Sequence, residues 1–309
     1  MLGFSNEREL SRIVADQPLS FAPDTHHDRA TLTSSSPQAD IPRQDSRTSR
    51  RPGFVVAFVN QKGGVGKTTS AVNIAACMAQ SGRMVLLVDI DPQGNATSSL
   101  GVDRSDLDLT IYDALTNDAA ANDVRIRAVR DGFDLLPASP MLAGAEVELV
   151  DADRREHRLA DMLKPVQHDY DVILIDSPPS LGMLTVNALT AAGSVVIPVQ
   201  CEYLALEGVS QVLSTIDLIR KGLNPDLELL GVLMTMYDGR TRLAGHVVDE
   251  VRRYFPDHLF SVVVPRSVRL AEAPSFGQVI SEYDPSSRGA RAYAGVTSEL
   301  IARLESTSP

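Results

Sequence analysis

The segment V-N-Q-K-G-G-V-G-K-T-T, Val59 to Thr69, constrains the fold more than any other part of this chain. It follows the continuous apolar run F-V-V-A-F-V and opens a segment, Gly66 to Gln80, that is helical in pattern and nearly all apolar. A buried strand, a glycine loop and a helix in direct succession form a phosphate-binding turn. Gly63, Gly64 and Gly66 let the backbone turn tightly and aim its N–H groups at an anion, and the helix adds the positive end of its dipole. Such a unit needs a parallel sheet around it, because its strand is apolar on both faces.

The rest of the chain supplies that sheet. M-V-L-L-V-D-I-D, D-V-I-L-I-D-S, S-V-V-I-P-V and L-L-G-V-L-M-T are short β-branched-rich runs bounded by Gly, Pro or Asp. Between them lie helix-length segments, among them 204–221, 243–254 and 288–304. Strand–helix alternation over some 250 residues, with no interrupting linker, predicts one domain over 53–309. Its class is α/β: a doubly wound, mostly parallel sheet with helices on both faces. Residues 1–52 are different, rich in Ser, Thr, Asp, Pro and Arg without sustained periodicity. They read as a disordered polar tail spanning about 40 Å as a coil, with one short helix expected over Glu7–Val14.

Charge and cysteine content narrow the function. The net charge is −11, yet residues 53–214 carry −10 of it, and residues 215–295 balance ten basic against ten acidic side chains. The basic ones are bunched at Arg220-Lys221, Arg240 and Arg242, Arg252-Arg253, and Arg266 and Arg269, so a local basic face is compatible with an acidic whole. The polar N-terminus carries no secretory signal, and no apolar run is long enough to span a membrane. Cys77 and Cys201 lack metal-ligand spacing and read as free thiols of a cytoplasmic protein.

Chemistry concentrates at the loop. Lys67 supplies a point charge for the β- and γ-phosphates of a nucleotide, and Thr68 offers a hydroxyl to Mg²⁺. Asp89 and Asp91 follow one buried strand and Asp176 another. In open α/β sheets ligands bind at the carboxyl ends of strands, so the three acids should converge on the loop. Asp176 suits holding magnesium indirectly, from behind the ion's own ligands, and an acid of the first pair suits orientation of an attacking water.

K-G-G-V-G-K-T-T, with its additional lysine at the loop mouth, is the deviant form of the Walker A motif. Together with D-I-D-P-Q-G-N-A-T, D-S-P-P-S-L-G, P-V-Q-C-E-Y-L-A-L-E-G, T-M-Y-D-G-R-T and V-R-L-A-E-A-P-S-F-G, in that order, it resembles the ParA/Soj chromosome- and plasmid-partitioning ATPases from about Phe54 to Leu304. The resemblance implies that Lys62 reaches across a homodimer to the partner's nucleotide, so that two ATP molecules are sandwiched between two protomers. It implies catalytic roles for Asp91, which would activate water, and for Lys62 and Lys67. Asp89 would lie nearer the metal, with Thr68 and Asp176. Nucleotide would be bound by Lys62, Gly63, Gly64, Val65, Gly66, Lys67, Thr68 and Thr69, with Met236 and Pro265 toward the adenine. Ser267 and Val264 stand where the family carries Asn and Ile. Arg240 and Arg269, expected in two loops that follow successive sheet segments, would bind DNA phosphates without sequence preference. A ParB-type centromere-binding protein would stimulate hydrolysis on the nucleoid, with a chromosome, a plasmid or a protein cluster as cargo. A MinD-like membrane-associated ATPase is the alternative, but the end S-E-L-I-A-R-L-E-S-T-S-P is poor in the basic and bulky apolar residues such a helix needs.

Overall fold

The computed structural model describes residues 51–202 and 205–307, with no side-chain description for Glu207. The expected tail and its Glu7–Val14 helix lie outside the described residues. Seven strands form one sheet: β1 (Phe54–Phe58), β2 (Val85–Asp89), β3 (Ile126–Arg130), β4 (Phe133–Leu136), β5 (Val172–Asp176), β6 (Ser194–Gln200) and β7 (Glu228–Thr235). Their order is β3-β4-β2-β5-β1-β6-β7, and every neighbouring pair is parallel except β3 with β4.

The central strands are apolar throughout because both faces are covered, and alternate residues feed opposite layers. Ala57, Val88 and Ile175 point into one core, with Leu142, Leu159, Leu189, Val209 and Val248 from overlying segments. Phe58, Leu87 and Leu174 point into the other, under the helices Lys67–Gln80 and Arg288–Thr307. The first of these helices is apolar nearly all round because it lies between the sheet and its neighbours; Ala71, Ile74, Ala75 and Met78 are buried. The last helix is amphipathic. Tyr293, Val296, Leu300 and Leu304 form its buried stripe, each side chain contributing about 1.5–3 kcal/mol by leaving water.

The helices expected at 204–221, 243–254 and 288–304 are found at Ala205–Gly222, Arg242–Tyr254 and Arg288–Thr307. Two strands were not anticipated. β3 and β4 form a hairpin across Asp131-Gly132, with Gly132 at φ 68°. β3 is an edge strand, partly solvated and interrupted by Ala128 at φ 52°, so I-R-A-V-R lacks the apolar continuity of a central strand.

Strand register sets the site. Phe58, where β1 ends, pairs with Asp176 of β5, and Asp176 pairs with Asp89 of β2. The glycine loop and two acids therefore leave the sheet abreast, at one edge. From β1 the chain passes to β2 on one side and later fills β6 on the other, which makes this edge a topological switch point.

Candidate functional site

Gly64 (φ 75°) and Gly66 (φ 86°) give the loop its left-handed turns, and Gly66 is the residue that caps helix Lys67–Gln80. Buried Val65 has its carbonyl fixed by the Thr235 hydroxyl of β7 at 2.7 Å, so only its backbone N–H is disposed toward a ligand. The mouth of the loop is held by Asn60. Its amide donates to the Pro198 carbonyl of β6 at 2.7 Å, and its Oδ1 accepts the Lys62 N–H at 3.0 Å.

The two lysines are differently placed. Lys67 is buried, donates to the Lys62 carbonyl at 3.3 Å, and is held below the ordinary lysine value by burial, with Asp176 and Asp91 opposing that shift. Lys62 is half exposed, and its ammonium is paired with the Glu202 carboxylate just beyond β6.

The acids divide the work. Asp89 is fully buried and holds the loop that follows it. Its Oδ2 accepts from the Thr97 N–H at 2.8 Å and hydroxyl at 2.7 Å, and its Oδ1 from the Asp91 N–H at 3.2 Å. Burial pushes its carboxyl up to about 6, against the pull of these donors. The ordered loop sets Asp91 at the wall of the cleft, where its Oδ1 accepts the Gln93 N–H at 2.9 Å and its Oδ2 has no donor among the described residues. Asp176 is fully buried, and neither carboxylate oxygen makes a hydrogen bond of ordinary geometry among the described residues, although the Thr68 hydroxyl and the Lys67 ammonium lie near enough to favour its charged form. Burial, then the neighbouring Asp89, raises it well above the usual carboxylate range. An orphaned buried carboxylate next to a lysine and a threonine is a place for a cation. Among the described residues no three His, Cys, Asp or Glu side chains cluster to hold a metal by themselves. That suits Mg²⁺, which takes one or two protein ligands and completes its shell with water and phosphate.

Two clefts meet at the helix N-terminus. One, of about 540 Å³, is lined by Gly63, Gly64, Lys67, Thr68, Asp91 and Pro179, among others. The other, of about 280 Å³, is more apolar and is lined by Thr235, Val264, Pro265, Ser267 and Tyr293. Gly66, Thr69 and Met236 line both. Met236 has φ 52°, a costly conformation for a side-chain-bearing residue. It is over-determined by its neighbours: Val264 N–H donates to the Met234 carbonyl at 2.9 Å, Tyr237 N–H to Val264 at 3.0 Å, and Arg266 N–H to Tyr237 at 3.0 Å. A polar end and an apolar end, joined at the loop, match a nucleotide's phosphates and base.

The remaining sequence candidates lie outside the clefts. Arg240 is in the turn between β7 and helix Arg242–Tyr254, with its side chain 88% exposed. Arg269 is within the short helix Val268–Glu272 rather than in a loop, because V-R-L-A-E buries Leu270 against the second core. Neither guanidinium is free, since Asp238 grips Arg240 and Glu272 grips Arg269. Sequence reasoning missed Asn60, Thr97, Thr235, Tyr293 and the partner role of Glu202. Asn60, Thr97, Glu202 and Thr235 lie within the quoted motifs, which were the available signal, whereas Tyr293 lies outside them.

A family model described as an AAA domain matches residues 53–229. Among curated proteins, the sporulation initiation inhibitor protein Soj of Bacillus subtilis (strain 168) is 54% identical over 250 residues, 81% of this chain and 99% of that protein. The chromosome partitioning protein ParA of Myxococcus xanthus (strain DK1622) is 52% identical, covering 83% of this chain and 91% of that protein. A solved structure of cobyrinic acid a,c-diamide synthase from Mycobacterium smegmatis, with bound ADP and magnesium, superposes with a TM-score of 0.73 at 40% identity, covering 83% of this chain and 97% of that one. With its glycine loop, its strand-end acids and this degree of identity over four-fifths of its length, the chain belongs to the ParA/Soj family of chromosome-partitioning ATPases.

Proposed function

We propose that this protein is a Mg²⁺-ATP-driven partitioning switch, in which ATP joins two protomers, the dimer binds DNA without sequence preference, and hydrolysis releases it. The observation that carries the reading is Lys62, a second loop lysine that turns outward while Lys67 turns in. An inward lysine serves its own nucleotide. An outward one, at the rim of the same loop, is placed to neutralise a polyanion presented by a second copy. Two facing triphosphates would otherwise repel.

In this reading the loop N–H groups of Gly63 to Thr69 receive the phosphates, and Met236 and Pro265 flank the adenine. Thr68 and Asp176 would hold Mg²⁺, with Asp89 behind them. The bound ion supplies charge neutralisation at the transferring phosphoryl group. Because Asp89 is engaged by Thr97 and Asp91, Asp176 is the better direct holder. Asp91, with one oxygen free at the cleft wall, orients the attacking water. Arg240 and Arg269 meet DNA phosphates. They are near in sequence to Met236, Leu270 and Ala271, which line the cleft, so the nucleotide and DNA surfaces share segments. A ParB-type partner would accelerate hydrolysis on the nucleoid, and the cargo would be a chromosome or plasmid.

The membrane-associated alternative is less well supported. A membrane-docking terminal helix needs a free apolar face, whereas Arg288–Thr307 buries its Tyr293, Val296, Leu300 and Leu304.

The test is light scattering of the full chain with Mg²⁺ and ATP. Asp91→Ala should bind ATP and accumulate as a dimer, with turnover reduced by about 10²–10⁴. Adding Lys62→Ala to that variant should return it to monomer. An ATP-dependent dimer that survives loss of Lys62 would refute the cross-subunit role.

A further inference from the structure

Both arginines of the proposed DNA surface are held by carboxylates of their own segments. Asp238 grips Arg240 through two parallel bonds, Nε to Oδ1 at 2.9 Å and Nη2 to Oδ2 at 2.7 Å. Arg269 donates to Glu272 Oε2 at 3.1 Å, lies 3.7 Å from Asp284 Oδ2, and stacks over the Tyr283 ring. All this takes place in water, since both guanidinium side chains are more than half exposed. Arg242 and Arg266, exposed and from the same two segments, have no ion-pair partner among the described residues.

We infer that Asp238 and Glu272 are built-in competitors of the DNA backbone, occupying the forks of Arg240 and Arg269 that phosphates would take and thereby holding DNA affinity down. The inference rests on the DNA-binding reading above. The guanidinium fork offers the same paired donors to a carboxylate and to a phosphate, so the two anions compete for identical atoms. An exposed ion pair is weak and opens readily. The displaced carboxylate nevertheless remains a few ångströms from the incoming phosphate and repels it. Arg240 with Asp238 sums to zero charge, as does Arg269 with Glu272, and Asp284 adds a further negative charge. Asp238 also acts electrostatically on Arg266, so the least compensated cation of these two segments is Arg242. Such a surface suits a protein that must leave DNA as readily as it arrives.

The two acids can be neutralised without disturbing their loops. Asp238 Oδ1 also accepts the Arg240 N–H at 3.1 Å, and an asparagine keeps that acceptor. Glu272 Oε2 also accepts the Tyr283 hydroxyl at 3.1 Å, and a glutamine keeps that one. The experiment is a salt titration of the full chain on a random-sequence duplex by fluorescence anisotropy with ATP and Mg²⁺, the dimer being verified by light scattering. Asp238→Asn and Glu272→Gln should each raise affinity about three- to thirtyfold at low salt and steepen the log K against log[salt] slope by up to about 1.8 per dimer. Asp226→Asn, an exposed acid just before the opposite end of β7 with no arginine partner among the described residues, is the control for net charge and should do neither. Intact dimers of both variants with unchanged or weakened DNA binding would overturn the inference alone, marking the acids as supports for the arginines. A gain equal to that of the control would overturn it too. No DNA binding by the parent with ATP would remove the DNA reading, and this inference with it.

Discussion

Asp89 and Asp176 show how a side chain's neighbours decide its chemistry. Both end a buried strand and both are fully buried, but Asp89 accepts three hydrogen bonds, whereas Asp176 has none of ordinary geometry among the described residues and only the Thr68 hydroxyl nearby. The first is consumed in shaping the loop that carries Asp91, and the second is the one proposed to hold the cation. Burial raises both carboxyls, so the fold favours their protonated forms. For Asp89, at about 6 in the fold, the stabilisation is complete below the ordinary carboxylate value and is lost as pH rises through about 6. Parent and Asp89→Asn should therefore diverge with pH. The parent's stability relative to the variant should fall by up to about 3 kcal/mol between pH 4 and pH 7. Denaturant unfolding of both proteins at the two pH values checks this, and a difference independent of pH would show that Asp89 titrates alike in folded and unfolded chains.

At the scale of elements, the loop mouth is a joint between β1 and β6. Asn60 ties the backbone across that joint, and Glu202, just beyond β6, detains the Lys62 ammonium. For Lys62 to reach a second copy it must leave Glu202. Glu202→Gln should then lower the ATP concentration needed for half-maximal dimerisation, by at most about fivefold, since an exposed pair contributes no more than about 1 kcal/mol. An ATP titration followed by light scattering reads this directly. A higher ATP requirement would mean that Glu202 aims Lys62 rather than detains it. Strands β1, β2, β5, β6 and β7 were legible in the sequence because burial on both faces leaves a nearly unbroken apolar run. The β3–β4 hairpin was not, because Arg127 and Arg130 on a half-solvated edge look like loop, although Asp131-Gly132 marks the turn.

Among the described residues the fold is one sheet with two cores, and the nucleotide end of the sheet is covered by the second of them. Helix Lys67–Gln80 presents the phosphate loop from one layer, while helix Arg288–Thr307 covers that same layer and places Tyr293 in the apolar cleft, its hydroxyl 3.1 Å from Ser70 Oγ. Removing bulk under the last helix should therefore cost stability first. Leu300→Ala, at a fully buried site, is expected to destabilise by about 2–5 kcal/mol in denaturant unfolding. A change below about 1 kcal/mol would mean that the helix is not part of the cooperative core.

The sequence by itself determined the parallel sheet, the phosphate turn and the acids at the strand ends. Each is written in contiguous residues: an apolar run, a glycine spacing, an aspartate where a buried strand stops. Only the tertiary structure decided which of those groups are free to act. Lys62 meets Glu202, Asp89 meets Thr97, and Asp176 is left without a well-formed hydrogen bond among the described residues, because strand register and crossovers bring together residues as distant in sequence as Lys62 and Glu202. Even Arg240 and Asp238, two residues apart, needed the turn's geometry to close their fork. Composition records charges one by one, whereas pairing depends on where the backbone aims them.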